Sequence, residues 1–175
     1  MEDYSMEKEY IEKTQIKYLP INEKYAEDLK SVWSDEEIIK YTNIKSPCTL
    51  ETIQDRVHRF KSHEVFVVCY KEKAIGVIGC PTINEGKKEF GVFYQFQKAV
   101  WGQGLATMAA KWLIHYIEEK YGEVTLYADV VIDNVASEKI LKSLDFELTG
   151  IEKEGFERNA IKMDIHNYMK KCITK

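Results

Sequence analysis

The sequence predicts an α/β fold with a mixed sheet of about seven strands and helices on both faces, and three observations carry that expectation. Between Glu89 and Tyr116 an alternating, aromatic-rich run passes through Trp101-Gly102-Gln103-Gly104 into the clearest helix of the chain. That helix sets Leu105, Met108, Ala109, Trp112, Leu113, Tyr116 and Ile117 along one apolar stripe, which must lie on something. A second strand-like run, Glu123 to Val130, comes next, and strand, helix and strand in that order make a right-handed crossover between parallel neighbours.

The other elements follow in chain order. Residues 1–13 are strongly charged and without an apolar run, so they predict a frayed extension or short helix, neither a signal peptide nor a membrane span. The remaining residues, 14–175, suit a single domain. T-Q-I-K-Y-L-P-I from Thr14 alternates as a first strand would, ended by Pro20. Asn22 caps a helix to about Trp33 with Tyr25, Ala26, Leu29 and Trp33 on one side, and Asp35 caps a shorter one to Tyr41. Thr42 to Thr49 reads as loop around Ser46-Pro47, and a third helix runs from about Leu50 to Ser62 with Ile53, Val57 and Phe60 inward. Val65–Tyr70 and Ala74–Cys80 form a hairpin about Lys71-Glu72-Lys73, and Asn84-Glu85-Gly86-Lys87 turns the chain into the strand at Glu89. After Val130, Asp133-Asn134 caps a helix from Val135 to Leu144, and Phe146–Ile151 and Ala160–Tyr168 complete the sheet.

Composition narrows the function. A chain of 175 residues with 45% hydrophobic and 12% aromatic content can bury a substantial core. A net charge of −4 argues against a nucleic-acid partner, which needs a basic patch, and makes a cationic substrate more natural. Cys48, Cys69, Cys80 and Cys172 are dispersed, and His58, His63, His115 and His166 do not join them at metal-ligand spacing. Reduced structural thiols in a cytoplasmic protein, with no metal, are the expectation.

The turn before the long helix carries the chemistry. A strand, a glycine turn and a helix start aim several backbone N–H groups and the positive end of the helix dipole at one spot, which suits a pyrophosphate. The spacing excludes a P-loop, because no Lys follows Gly104, and a dinucleotide fingerprint, whose third glycine is Thr107 here. The plain alternative is a turn that only lets a helix pack on a sheet.

Trp101 to Ala106, with Thr107 behind, closely resembles the acetyl-CoA pyrophosphate loop of the GNAT N-acetyltransferases, (Q/R)-x-x-G-x-(G/A). The form W-G-x-G-(Y/L)-A-T is common in the branch that acetylates ribosomal-protein N-termini. Asn134 to Phe146 resembles the family block N-x-x-S-x-x-x-L-x-K-x-G-F, Asp164 and Tyr168 its D-x-x-x-Y, and Arg158 to Met163 the bacterial spermidine N-acetyltransferases. The resemblance spans about residues 14–170 and implies the GNAT fold, with strands splitting in the middle.

The resemblance also implies an enzyme that moves an acetyl group from acetyl-CoA to a primary amine: a protein N-terminus, a polyamine or another small amine. Such an enzyme would act without nucleic acid or membrane, and a homodimer is compatible. Trp101, Gly102, Gln103, Gly104, Leu105, Ala106 and Thr107 would hold the pyrophosphate, largely through the backbone. Tyr94 and Phe96, within Tyr94 to Gln97, would offer backbone groups to the pantetheine arm, and Asn134 a side-chain contact, unless Asn134 is a simple helix cap. Trp33, Tyr41 and the Asn43 to Pro47 loop would select the acceptor. Glu89 stands where many members carry a base, needed because an ammonium has no lone pair. Many members also carry a Tyr acid where this chain has Leu141, which leaves Ser137 as the nearest hydroxyl in sequence. Asp145 replaces the family glycine at a left-handed helix end. The rival reading is a non-catalytic acyl-CoA-binding or interaction module.

Overall fold

In a computed structural model, residues 7–173 are described. Residues 1–6 and 174–175 lie outside them, so the expectation for the N-terminal extension can be compared only at residues 7–13. Those residues are neither frayed nor a helix. They are held by hydrogen bonds to Ala99 and Gln103, bury Ile11, and lead into a single helical turn, Lys13–Gln15, where a strand was expected to begin.

The elements are β1 (Lys17–Pro20), α1 (Ala26–Trp33), α2 (Glu36–Ile39), α3 (Leu50–Phe60), β2 (Glu64–Tyr70), β3 (Lys73–Cys80), β4 (Thr82–Asn84), β5 (Glu89–Gly91), β6 (Phe93–Phe96), α4 (Leu105–Tyr121), β7 (Val124–Val131), α5 (Val135–Ser143), β8 (Glu147–Arg158) and β9 (Ile161–Cys172). They make a four-stranded sheet in the order β1-β2-β3-β6 and a five-stranded sheet in the order β4-β5-β7-β9-β8. Every pairing is antiparallel except β5 with β7, the parallel pair expected across the long helix.

Among the described residues nine strands stand where about seven were expected: β4 precedes the turn at Asn84, and the run at Glu89 divides in two. Its first half pairs with β7 as far as Val92, whose N–H bonds to the Tyr127 carbonyl at 2.8 Å. From Phe93 the chain pairs with β3 instead, Phe93 opposite Gly79 and Phe96 opposite Gly76. Both glycines are required there, since a Cβ would come within 2.7 Å of the Phe93 ring or 2.6 Å of the Phe96 ring. The two sheets therefore diverge at Val92, and β6 presents an unpaired edge to the gap.

Alternation sorts the side chains to the two faces. Val65, Val67, Cys69, Ala74 and Val77 pack under α1 to α3 with Leu29, Trp33, Ile39, Ile53 and Val57. Phe66, Val68, Ile78, Phe90, Phe96, Leu126 and Val130 pack under α4 and α5 with Leu105, Ala109, Leu113, Ile117 and Leu141. Helices thus cover both faces, as expected, and the α4 stripe is buried, with Met108, Trp112 and Tyr116 at its edge. One feature departs from the sequence reading. Strand β8 extends to Arg158 because irregular pairing at Leu148/Gly150 and Glu152/Phe156 breaks the alternation that would have revealed its outer half. Asp145 does take the left-handed conformation, at φ 62°.

Candidate active site

Gly102 and Gly104 both adopt the left-handed backbone, φ 79° and 73°, so their role here is conformational: a Cβ at Gly102 would meet nothing within 4 Å, and one at Gly104 only the Lys13 ammonium at 3.7 Å. Gly104 is also the N-cap of α4, and it has no side chain with which to cap. No acidic residue occupies the first turn. The first N–H groups of a helix have no intrahelical acceptor, so those of Leu105 to Thr107 are left for an outside anion, with the dipole behind them.

The side chains of the loop do other work. Trp101 donates its indole N–H to the Phe96 carbonyl at 2.9 Å and fastens the loop to the end of β6. Gln103 faces away from the phosphate side: its amide accepts from the Ile11 N–H at 2.9 Å and donates to the Glu9 carbonyl at 2.6 Å. With the Glu9 N–H on the Ala99 carbonyl at 3.0 Å, the N-terminal segment is strapped across the back of the loop. The sequence signal was slight, a single isoleucine among charges.

From this loop a groove of about 760 Å³ runs along the free edge of β6, between α2 and the start of α5. Tyr94, Gln95, Phe96, Trp101, Gly102, Leu105, Thr107, Asn134 and Ser137 are among its walls, so the structure gathers nearly every expected binding residue around one cavity. Asn134 is a helix cap, its Oδ1 accepting from the Ser137 N–H at 3.3 Å; this uses only one end of the amide. The Tyr94 hydroxyl, which the sequence reading did not single out, lies 2.8 Å from Ser137 Oγ and 3.3 Å from the Ser137 carbonyl. Burial raises the Tyr94 pKa above its ordinary value of 10.0, against the opposing Ser137 hydrogen bond. Leu141, in contrast, is turned into the core and is only 1% exposed, so a tyrosine there would overpack the interior rather than reach the groove.

Glu89 is not a wall of this groove. Its neighbour Phe90 is buried on the α4 side, so alternation directs Glu89 to the opposite face of the sheet, where the Tyr127 hydroxyl donates to it at 3.4 Å. Burial first, then Glu89, raises the Tyr127 pKa. The same face carries Asp129 and Glu152, both accepting from the Asn167 amide, at 2.7 and 3.2 Å.

Of the residues expected to select the acceptor, Tyr41 lines the groove and donates to the Asp133 carbonyl at 3.2 Å, bridging the α2 side to the α5 side. Trp33 is buried and donates to Gln95 at 2.7 Å, so it supports the β6 wall from behind. The loop after Tyr41 is held by Arg158, which donates to the carbonyls of Thr42 and Ile44 at 2.9 and 2.6 Å and pairs with Glu36 at 3.3 Å.

The comparison with known proteins decides the family. The model of the acetyltransferase (GNAT) domain matches residues 16–147. The chain belongs to the GNAT acetyltransferase family. A curated relative, the N-acetyltransferase p20 of Bacillus licheniformis, whose own role is uncharacterized, is 26% identical over 173 residues, 93% of this chain and 95% of the relative. A solved RimL ribosomal-protein α-N-acetyltransferase in complex with coenzyme A superposes with a TM-score of 0.81 at 16% identity, covering 91% of this chain and 95% of that one. The spermidine N-acetyltransferase of Vibrio cholerae, in complex with coenzyme A and spermine, gives 0.82 at 15% identity over 91% and 96%. These likenesses show the GNAT fold that the sequence resembles. No helix among the described residues is long and apolar enough to cross a membrane.

Proposed function

We propose that this acetyltransferase uses acetyl-CoA to acetylate a primary amine by direct attack of the amine on the thioester. The observation that carries the reading is the α4 N-terminus, left uncapped by Gly104 at the mouth of a groove that follows the free edge of β6. The pyrophosphate binds the N–H groups of residues 102–107, with Lys13 beside Gly104. The pantetheine arm lies along Tyr94 to Phe96, its amides meeting the unpaired edge of β6 and the free end of the Asn134 side chain. The thioester then reaches the divergence at Val92.

The two faces of the sheet divide the reaction. Glu89 lies on the acceptor side and takes the proton from the incoming ammonium, directly or through water, so that the nitrogen lone pair can form the C–N bond. Ser137 stands on the leaving-group side, where the C–S bond breaks and the electron pair departs on sulfur. Asp129 and Glu152, on the same face as Glu89, favour an acceptor that is cationic in solution, such as a protein N-terminus, a polyamine or another small amine.

The test is to incubate the protein with acetyl-CoA and a panel of such amines, following thiol release and product mass together. Acetylated amine with equal thiol is the expected result. Coenzyme A binding without thiol release for any amine would favour the non-catalytic module, and no binding would end the reading.

A further inference from the structure

With Leu141 buried in the core, the leaving thiolate has no partner at the position where many relatives carry an acid. The hydroxyls that line the groove are those of Tyr41, Tyr94, Thr107 and Ser137. Tyr41 is engaged with the Asp133 carbonyl, and Thr107 lies in the first turn of α4 at the phosphate end. Tyr94 and Ser137 remain, and Tyr94 is the second residue of β6, two past the divergence at Val92. Their oxygens are 2.8 Å apart, with a second acceptor, the Ser137 carbonyl, 3.3 Å from the same phenol.

We propose that the Tyr94 hydroxyl is a catalytic group that donates a hydrogen bond to the departing coenzyme A sulfur, with Ser137 positioning it. This rests on the N-acetyltransferase reading. When Ser137 Oγ donates to the Tyr94 oxygen, the phenolic proton is not used in that bond and can exchange the long contact to the Ser137 carbonyl, 3.3 Å, for the sulfur, and the two hydroxyls polarise one another. As the amine nitrogen bonds to the carbonyl carbon and the C–S bond breaks, the electron pair stays on sulfur, stabilised by the Tyr94 O–H. The phenol is a weaker acid than a thiol of pKa about 8.5, so the proton is shared rather than transferred. The thiolate takes its proton from solvent water afterwards, while nitrogen gives up two protons through Glu89 to solvent, one from the ammonium before attack and one as the new amide forms. Tyr94 needs no reprotonation.

The test uses coenzyme A itself with the full-length protein. Calorimetry first measures its binding to wild type and to Tyr94→Phe, which keeps the ring and its packing. The thiol of the bound coenzyme is then titrated through the ultraviolet absorbance of the thiolate. The wild-type complex should titrate about one unit below the free thiol, near 8.5, and the Tyr94→Phe complex at the free-thiol value. Turnover of Tyr94→Phe should fall roughly 10–10²-fold with little change in acetyl-CoA KM, somewhat less than the general range of acid catalysis. Ser137→Ala should show a smaller shift in the same direction. Equal titration of the bound thiol in wild type and Tyr94→Phe would overturn the assignment while leaving the acetyltransferase reading intact; failure of wild type to bind coenzyme A would instead overturn that reading.

Discussion

Two helix N-termini face the groove, and they are built in opposite ways. α5 satisfies its own start: Asn134 caps the Ser137 N–H, and Glu138 places a carboxylate in the first turn against the helix dipole. α4 has a glycine at the same position and no acid in its first turn. A Ser, Thr, Asp or Asn cap is ordinarily worth about 1 kcal/mol, so an uncapped start on the longest helix of the chain is a forfeited gain. It makes sense as a site that an external anion completes. The lesson is that α4 offers backbone donors and α5 offers side chains, which suits a pyrophosphate at one end of the groove and the reacting pantetheine end at the other.

The largest expected effect lies outside both helices and shows what they leave to the acceptor face. Glu89→Gln keeps shape and removes a proton acceptor, so turnover at neutral pH should fall roughly 10²–10⁴-fold while acetyl-CoA affinity holds. Because solvent supplies more neutral amine as pH rises, the deficit should shrink toward alkaline pH. A deficit constant across the profile would make Glu89 only a charged residue at a strand end.

Gly104→Val attacks the open helix start directly. A β-branched residue at φ 73° strains the turn and intrudes on the anion's approach, yet its Cβ meets no protein atom closer than 3.7 Å, so the fold should survive. Hydrogen bonds to a charged group contribute about 1.5–3 kcal/mol each, and losing one should weaken coenzyme A binding by roughly 10–10²-fold. Unchanged affinity in a folded variant, by calorimetry, would mean that the uncapped glycine serves packing.

How much of this was legible in the sequence follows from the range of each interaction. The glycine loop, the α4 stripe and the caps at Asn22, Asp35 and Asn134 are set within a few residues, and periodicity or spacing exposes them. The partner of Gln103 is 92 residues away, Ser137 is 43 residues from Tyr94, and the carbonyls held by Arg158 are 114 and 116 away. No local pattern encodes these. The division at Val92 was hidden for another reason: both halves of the run alternate like one strand, and only the choice of partner distinguishes them. Glu89 was read correctly as a strand residue, but which side of the sheet it faced depended on where that strand broke.

Asn134 allows the cap and the proposed pantetheine contact to be separated. Asn134→Ala removes both, costing about 1 kcal/mol of stability and, for a 175-residue chain, roughly 2–4 °C in Tm. Asn134→Ser keeps a capping oxygen but loses the amide N–H, so Tm should stay near wild type while acetyl-CoA affinity falls roughly 3–10-fold, the size of one neutral hydrogen bond. If Ser restores both quantities, Asn134 is only a cap.

The smallest effect concerns the acid in the first turn of α5. The Glu138 carboxyl is held below its ordinary pKa, first by the Tyr168 hydroxyl, which donates to it at 2.7 Å, and then by His166, hydrogen-bonded to the same oxygen. A carboxyl depressed in the folded state stabilises it above the unfolded pKa, and that contribution disappears as pH falls through the folded value. Wild type should therefore exceed Glu138→Gln in Tm at neutral pH, by roughly 2–4 °C if about 1 kcal/mol is involved, and the two should converge in acid below about pH 4. Since α4 has no such carboxylate in its first turn, hydrogen exchange in acid should loosen the start of α5 before that of α4. Parallel melting curves for wild type and variant at every pH would show that the helix start draws nothing from the Glu138 charge, and that its cap alone distinguishes it from α4.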